Sequence, residues 1–183
     1  ETDHDLTLLI DAAQRAGEIS SRYWRREPEA WEKPGGAGPV TEADLAVNRM
    51  LREHLATARP EYGWLSEESD DNEARLGARR VFIVDPIDGT RSFMAGEPSF
   101  AHSIAVAEEG RVIAGVVYLP QMSALYTATA EGPAALNGVP IGASGRTDPS
   151  GGTILATRPV LQSGMWRGGL IPPMRQVFRA SIA

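Results

Sequence analysis

Apolar residues recur at helical spacing near the start of the chain. Leu6, Leu9, Ile10, Ala13 and Gly17 fall on one face of the segment 3–24, which predicts an amphipathic helix. A second helix is predicted over 41–58, where Val47, Met50, Leu51, Leu55 and Ala58 form a similar stripe. Thr41 stands at its N-cap, and Asp44 three residues on makes a capping-box pattern. Between the two lies 25–39, a loop in which Lys33-Pro34-Gly35-Gly36-Ala37-Gly38 reads as either a plain linker or a lid. From Gly63 the pattern turns β-like, with short apolar stretches near 63–66, 81–84, 102–107, 112–119 and 125–130. Glu108-Glu109-Gly110-Arg111 is a short turn that makes a hairpin of its flanking strands, and 120–123 turns the next pair. Two helices followed by consecutive hairpins predict an α+β fold, helices packed on an antiparallel-rich sheet. Past Gly138 the character changes: 142–152 is rich in Gly, Ser, Thr, Asp and Pro and marks a boundary. The organisation expected is therefore an N-terminal domain over 1–142 and the start of a second α/β domain over 153–183. In that second part, 153–157 reads as a strand and 174–183 as a helix.

Composition narrows the picture only a little. With 183 residues, 42% of them hydrophobic, the chain has material for one good core. A net charge of −6 argues against a nucleic acid polymer or an anionic membrane as partner. It leaves room for an anionic small molecule, because a bound cation would reverse the local charge. The lack of cysteine excludes disulfide and thiol chemistry. No apolar run has the length of a membrane span and no signal pattern opens the chain, so a cytoplasmic protein is expected.

The chemistry concentrates in Asp85-Pro86-Ile87-Asp88-Gly89-Thr90, which follows the apolar stretch ending at Val84. Pro86 and Gly89 force a turn there, so two carboxylates and a backbone carbonyl gather at a strand end. Clustered oxygens suit a hard divalent cation, and a helix start after Gly89 suits a phosphate. Trp64-Leu65-Ser66-Glu67-Glu68-Ser69 is a second strand ending in acids. Were the two strands neighbours, Glu67 would aim at the same point as Asp85 and Asp88. The acids after Ser69 read as a solvated run, and Asp44 alone reads as a first-turn acid suited to the helix dipole. His54 and His102 read as ordinary packed or exposed histidines, and Trp24, Trp31 and Trp166 as packing residues. Arg91 is either an exposed helix residue or a phosphate contact.

Together these segments resemble the inositol monophosphatase family of magnesium-dependent, lithium-sensitive phosphatases. The likeness runs over 33–137. It takes in Lys33 heading the glycine-rich loop, Val40-Thr41-Glu42-Ala43-Asp44, Ser66-Glu67-Glu68-Ser69, and Asp85 through Thr90. Gly115-Val116-Val117-Tyr118 and Leu136-Asn137-Gly138 complete it. The resemblance implies the first half of a layered α/β/α/β/α fold and hydrolysis of a phosphate monoester of inositol or a similar polyol by metal-activated water. It implies two or three Mg2+ per site: Glu67, Asp85 and the Ile87 carbonyl on the first, Asp85 and Asp88 on the second. Thr90 and Glu67 would hold the attacking water, with Asp44 orienting the Thr90 hydroxyl. The N–H groups around Gly89 and Thr90, beside Asp88, would receive the phosphate, and Lys33 would stand at the entrance. A homodimer is compatible with the resemblance, since relatives are frequently dimers.

One departure stands out. The family carries a Trp-Asp in its second half whose aspartate completes the second metal site; here Trp166 is followed by Arg167, and no Trp-Asp occurs. The expectation is a fragment, or a sequence whose remainder lies elsewhere, inactive as it stands. Two alternatives remain. Leu65-Ser66-Glu67-Glu68 is similar to the pattern of 3′(2′),5′-bisphosphate nucleotidases of the same family. A non-catalytic binding module of the same fold accounts for the missing aspartate.

Overall fold

A computed structural model describes residues 2–71, 73–155, 162–171 and 173–177. The chain divides into two compact units, Glu1–Gly142 and Ala143–Ala183. The first opens with helix α1 (Thr2–Tyr23), then a small hairpin of β1 (Ala30–Glu32) and β2 (Pro39–Thr41), then helix α2 (Glu42–Ala58). Strands β3 (Gly63–Ser66) and β4 (Arg80–Asp88), the short helix α3 (Thr90–Met94) and strands β5 (Ala101–Glu108), β6 (Arg111–Leu119) and β7 (Ala124–Thr129) follow. Two short strands, β8 (Ala135–Leu136) and β9 (Val139–Pro140), close the unit.

Strands β3 to β9 lie side by side in sequence order in one seven-stranded sheet. Only the β3–β4 pair is parallel; every later pair is antiparallel. The fold is thus α+β, with both long helices on one face of the sheet. Leu9, Ala12, Ala13 and Ala16 of α1 and Val47, Leu51 and Leu55 of α2 pack on Phe82, Val84, Ile104, Val106, Ala114 and Val116. The helical residues recur every three or four positions and the strand residues every two, which is why each element turns one face inward. Gly17 lets α1 approach closely: a Cβ there would lie 2.6 Å from the Tyr118 ring.

The alternate residues of β5, β6 and β7 point to the other face. Ala105, Gly115, Val117, Tyr126, Ala128 and Ile141 line an apolar groove of about 460 Å3 there. Among the described residues, no helix is long and apolar enough to cross a membrane.

Two expectations change. The segment 25–39 is no featureless loop, because Ala30↔Thr41, Trp31↔Val40 and Glu32↔Pro39 pair as an antiparallel hairpin with the glycine-rich stretch at its tip. In the second unit, Arg175–Val177 is not helical but a strand, β11, paired parallel with β10 (Thr153–Leu155). The bond from Gly151 N–H to the Pro173 carbonyl (2.6 Å) starts that pairing, and an inter-strand ladder overrides the weak helical pattern of so short a stretch. Residues 156–157 of the expected strand and 178–183 of the expected helix lie outside the described residues.

Candidate active site

The β3–β4 register sets the site. Ser66 pairs with Val84, and the Glu67 N–H donates to the Val84 carbonyl (3.2 Å), so Glu67 and Asp85 leave adjacent parallel strands at the same level. On its other side β4 pairs with β5 until Asp85↔Ser103; pairing resumes only at Asp88↔Ala101. Pro86 and Ile87 therefore face the single residue His102, a β-bulge that bends β4 at its acidic end. Gly89 then takes φ +88°, and a Cβ there would press against the Ser99 carbonyl at 3.2 Å. No other residue is comfortable at that point. Beneath the turn Ile87, Phe93, Phe100 and Ala43 form a small second core, with Phe93 and Phe100 edge to face at 4.9 Å.

The start of α2 supplies the next part. Thr41 Oγ1 accepts from the N–H groups of Ala43 and Asp44, and the Asp44 carboxylate accepts from the Thr41 N–H (2.9 Å) and hydroxyl (2.5 Å). The capping box read from the sequence is therefore formed. Asp44 does more than cap, because its other oxygen lies 3.3 Å from Thr90 Oγ1. The same hydroxyl lies 3.1 Å from the Ile87 carbonyl oxygen. Burial pushes the Asp44 carboxyl up, and the bonds from Thr41 and Thr90 pull it back.

Lys33, at the end of β1, reaches over this edge and binds Glu67 (2.7 Å) and Glu68 (2.5 Å). Burial works against its ammonium, but the two carboxylates outweigh that and raise its pKa. Of the adjacent acids, the Glu67 side chain is half exposed (51%) and that of Glu68 is almost covered (8%). Burial pushes the Glu68 carboxyl up. Burial, then the charges of Glu67, Asp88, Asp44 and Glu68, push Asp85 up to about 7.

The structure joins Asp44, Thr90 and Ile87 by hydrogen bonds, and Lys33 to Glu67. It sets Asp85 within the field of Glu67 and Asp88, which is itself exposed beside Gly89. Among the described residues, no three Asp, Glu or His side chains stand close enough to enclose a cation as they are. The donor set nonetheless suits a hard cation: carboxylate and carbonyl oxygens, with Asp85 raised by burial and by the like charges around it. Sequence reasoning missed Glu68, Asn48 and His102. Asn48 accepts from the Ser66 hydroxyl (2.7 Å) and donates to the Glu68 carbonyl (3.0 Å) and Ser69 Oγ (2.9 Å), fixing the turn that carries both acids. Its signal was its place on α2 one turn after Asp44.

Comparison with known proteins identifies the family. The model of the inositol monophosphatase family matches residues 1–164. A histidinol-phosphatase of Chlorobaculum parvum is 35% identical over 84% of this chain and 58% of its own. An inositol-1-monophosphatase of Rhizobium meliloti is 38% identical, over 72% of this chain and 50% of its own. A 3′(2′),5′-bisphosphate nucleotidase of Escherichia coli is 41% identical, over 70% and 53%. Among solved structures, the IMPase of Thermotoga maritima superposes with a TM-score of 0.80 at 25% identity, covering 99% of this chain and 69% of that one. The chain spans about half the length of the curated relatives it matches.

Proposed function

The chain belongs to the inositol monophosphatase family, and we propose from that premise that it carries the metal-holding part of a phosphoric monoester hydrolase. The observation that carries this reading is Thr90 Oγ1 lying within reach of both the Asp44 carboxylate and the Ile87 carbonyl, one strand away from Glu67. Both neighbours only accept, so the Thr90 proton points inward to them and its lone pairs are left for the O–H of a water. Glu67 is the acceptor for that water's other proton. Glu67, Asp85 and the Ile87 carbonyl would hold a first Mg2+, and Asp85 with Asp88 a second. When bound, magnesium polarises the phosphoryl oxygens and makes water a nucleophile at neutral pH. A third, loosely held ion and the departing phosphate would lie near Lys33, whose ammonium pairs with Glu67 and its neighbour Glu68. Helix α3 has only five residues, so the N–H groups around Gly89 and Thr90 would bind phosphate as individual donors rather than through a macrodipole.

The substrate proposed is inositol monophosphate or a similar polyol phosphate, in a cytoplasmic enzyme. Leu65-Ser66-Glu67-Glu68 supports a second reading, a 3′(2′),5′-bisphosphate nucleotidase. The test is phosphate release from inositol 1-phosphate, 3′-phosphoadenosine 5′-phosphate and histidinol phosphate, with magnesium and with chelator. It is run on this chain and on any longer product of its reading frame. Magnesium-dependent release, fastest from inositol 1-phosphate, is expected from the longer product. A strong preference for the nucleotide overturns the polyol reading, and folded protein that releases nothing from any of the three leaves a binding module.

A further inference from the structure

One buried side chain outside the chemistry just described touches the backbone that organises it. His102 is fully buried on β5, directly opposite the β4 bulge. Its Nδ1 lies 2.5 Å from the Pro86 carbonyl oxygen, and its Nε2 lies 2.9 Å from Ser20 Oγ on α1. We propose that His102 is a positioning residue that pins the Pro86 carbonyl and so holds the bulge that presents Asp85, the Ile87 carbonyl and Asp88 to a divalent cation. The inference rests on the metal-holding reading above.

The geometry fixes the proton. A carbonyl only accepts, so Nδ1 carries the hydrogen and Nε2 receives the Ser20 hydroxyl proton. Burial lowers the His102 pKa to about 4, which keeps the ring in that neutral form at neutral pH. The chain Ser20 Oγ–H to Nε2, Nδ1–H to Pro86 O then runs unbroken from α1 to the bulge. The bond answers a local need. Two residues of β4 oppose one of β5 here, so the β-ladder leaves a carbonyl without its usual partner. Pro86 O is thus held by His102, and Ile87 O, one residue on in the same bulge, lies 3.1 Å from Thr90 Oγ1. Gly17, one helical turn before Ser20, gives α1 the approach that brings Ser20 within reach.

Paired substitutions test this. His102→Asn keeps an N–H near the Nδ1 position, whereas His102→Gln places its amide nearer the Nε2 position and His102→Leu removes every donor. Three measurements apply: hydrogen–deuterium exchange over 85–93 in metal-free protein, Mn2+ affinity by electron paramagnetic resonance, and thermal unfolding. In the Gln and Leu variants, exchange over 85–93 should accelerate and Mn2+ affinity should fall by about 10- to 100-fold. The Asn variant should stay within about threefold of wild type on both, as expected where the supporting hydrogen bond is kept. Should the Leu variant fail to fold, the Asn and Gln pair still decides, since both are polar and differ in where the donor sits. The proposal is overturned by a Gln variant that matches wild type in exchange and affinity. It is equally overturned if Asn and Gln lose both in step with unfolding temperature. Wild type that binds no Mn2+ would instead sink the metal-holding reading, and the exchange comparison would still decide whether His102 holds the bulge.

Discussion

Asp88 and Glu68 show how much a single side chain's exposure changes its meaning. Asp88 is exposed at the end of β4, and neutralising it removes one of the charges that crowd Asp85. Asp88→Asn should therefore leave unfolding within about 0.5 kcal/mol of wild type, as for ordinary surface changes, while abolishing the magnesium-dependent turnover proposed for the longer product. Calorimetry and phosphate release check the two halves, and near-normal turnover contradicts the metal assignment. Glu68 differs, because its covered carboxylate is held by Lys33. Lys33→Met leaves that carboxylate without its cation and should cost about 1–2 kcal/mol, read from denaturant unfolding at low salt. At this scale the sequence was legible where an acid is flanked by residues that dictate the backbone, as Asp85 and Asp88 are by Pro86 and Gly89. It was not legible between Glu67 and Glu68, since which of two adjacent acids folds inward depends on Asn48, a residue from another element. In sequence His102 reads as an ordinary packed or exposed histidine. It is packed, but its hydrogen bonds involve residues distant in sequence, beyond what spacing can show.

The elements themselves follow closely from periodicity and capping. Helix α2 starts where Thr-x-x-Asp placed it, because the Thr41 and Asp44 side chains satisfy backbone groups the helix cannot. Thr41→Val should cost about 1–2 kcal/mol and Thr41→Ser much less, measured by thermal unfolding. Gly17 shows the opposite case, in which helix propensity alone would mislead. Gly→Ala in a helix interior ordinarily stabilises, yet here the added methyl would lie 2.6 Å from the Tyr118 ring. Gly17→Ala should therefore destabilise, by about 1–3 kcal/mol, the cost typical of overpacking. An unchanged or higher unfolding temperature would show that α1 can shift. The hairpin of β1 and β2 was missed because its strands are three residues each and their glycine-rich tip dominates the composition. Strand β11 was missed because its partner β10 is remote in sequence.

Across the whole molecule, buried His102 and half-buried Asp85 set opposite dependences on pH in the same window. His102 has its folded pKa lowered from 6.5 to about 4. Its contribution to stability is complete above about 6.5 and is lost as pH falls toward 4. Asp85 has its folded pKa raised from 3.8 to about 7, so metal-free stability falls as pH rises through that range. Because the two slopes oppose, the wild-type curve alone is uninformative and the difference between wild type and His102→Asn is the useful quantity. That difference should grow by roughly 3 kcal/mol between pH 4 and 6.5, in denaturant unfolding with chelator present. A flat difference would mean that the ring is not held neutral. The sheet's hairpins were readable from the short turns between β5, β6 and β7, while the parallel pairing of β3 and β4 came only from the structure, since strands joined by a surface connection can pair either way. That pairing separates the placement of Glu67 and Asp85 from the length of chain joining them. The stretch after Asp71 is consequently a natural splice point: a fluorescent reporter grafted there, or new termini cut there, should leave magnesium affinity unaltered.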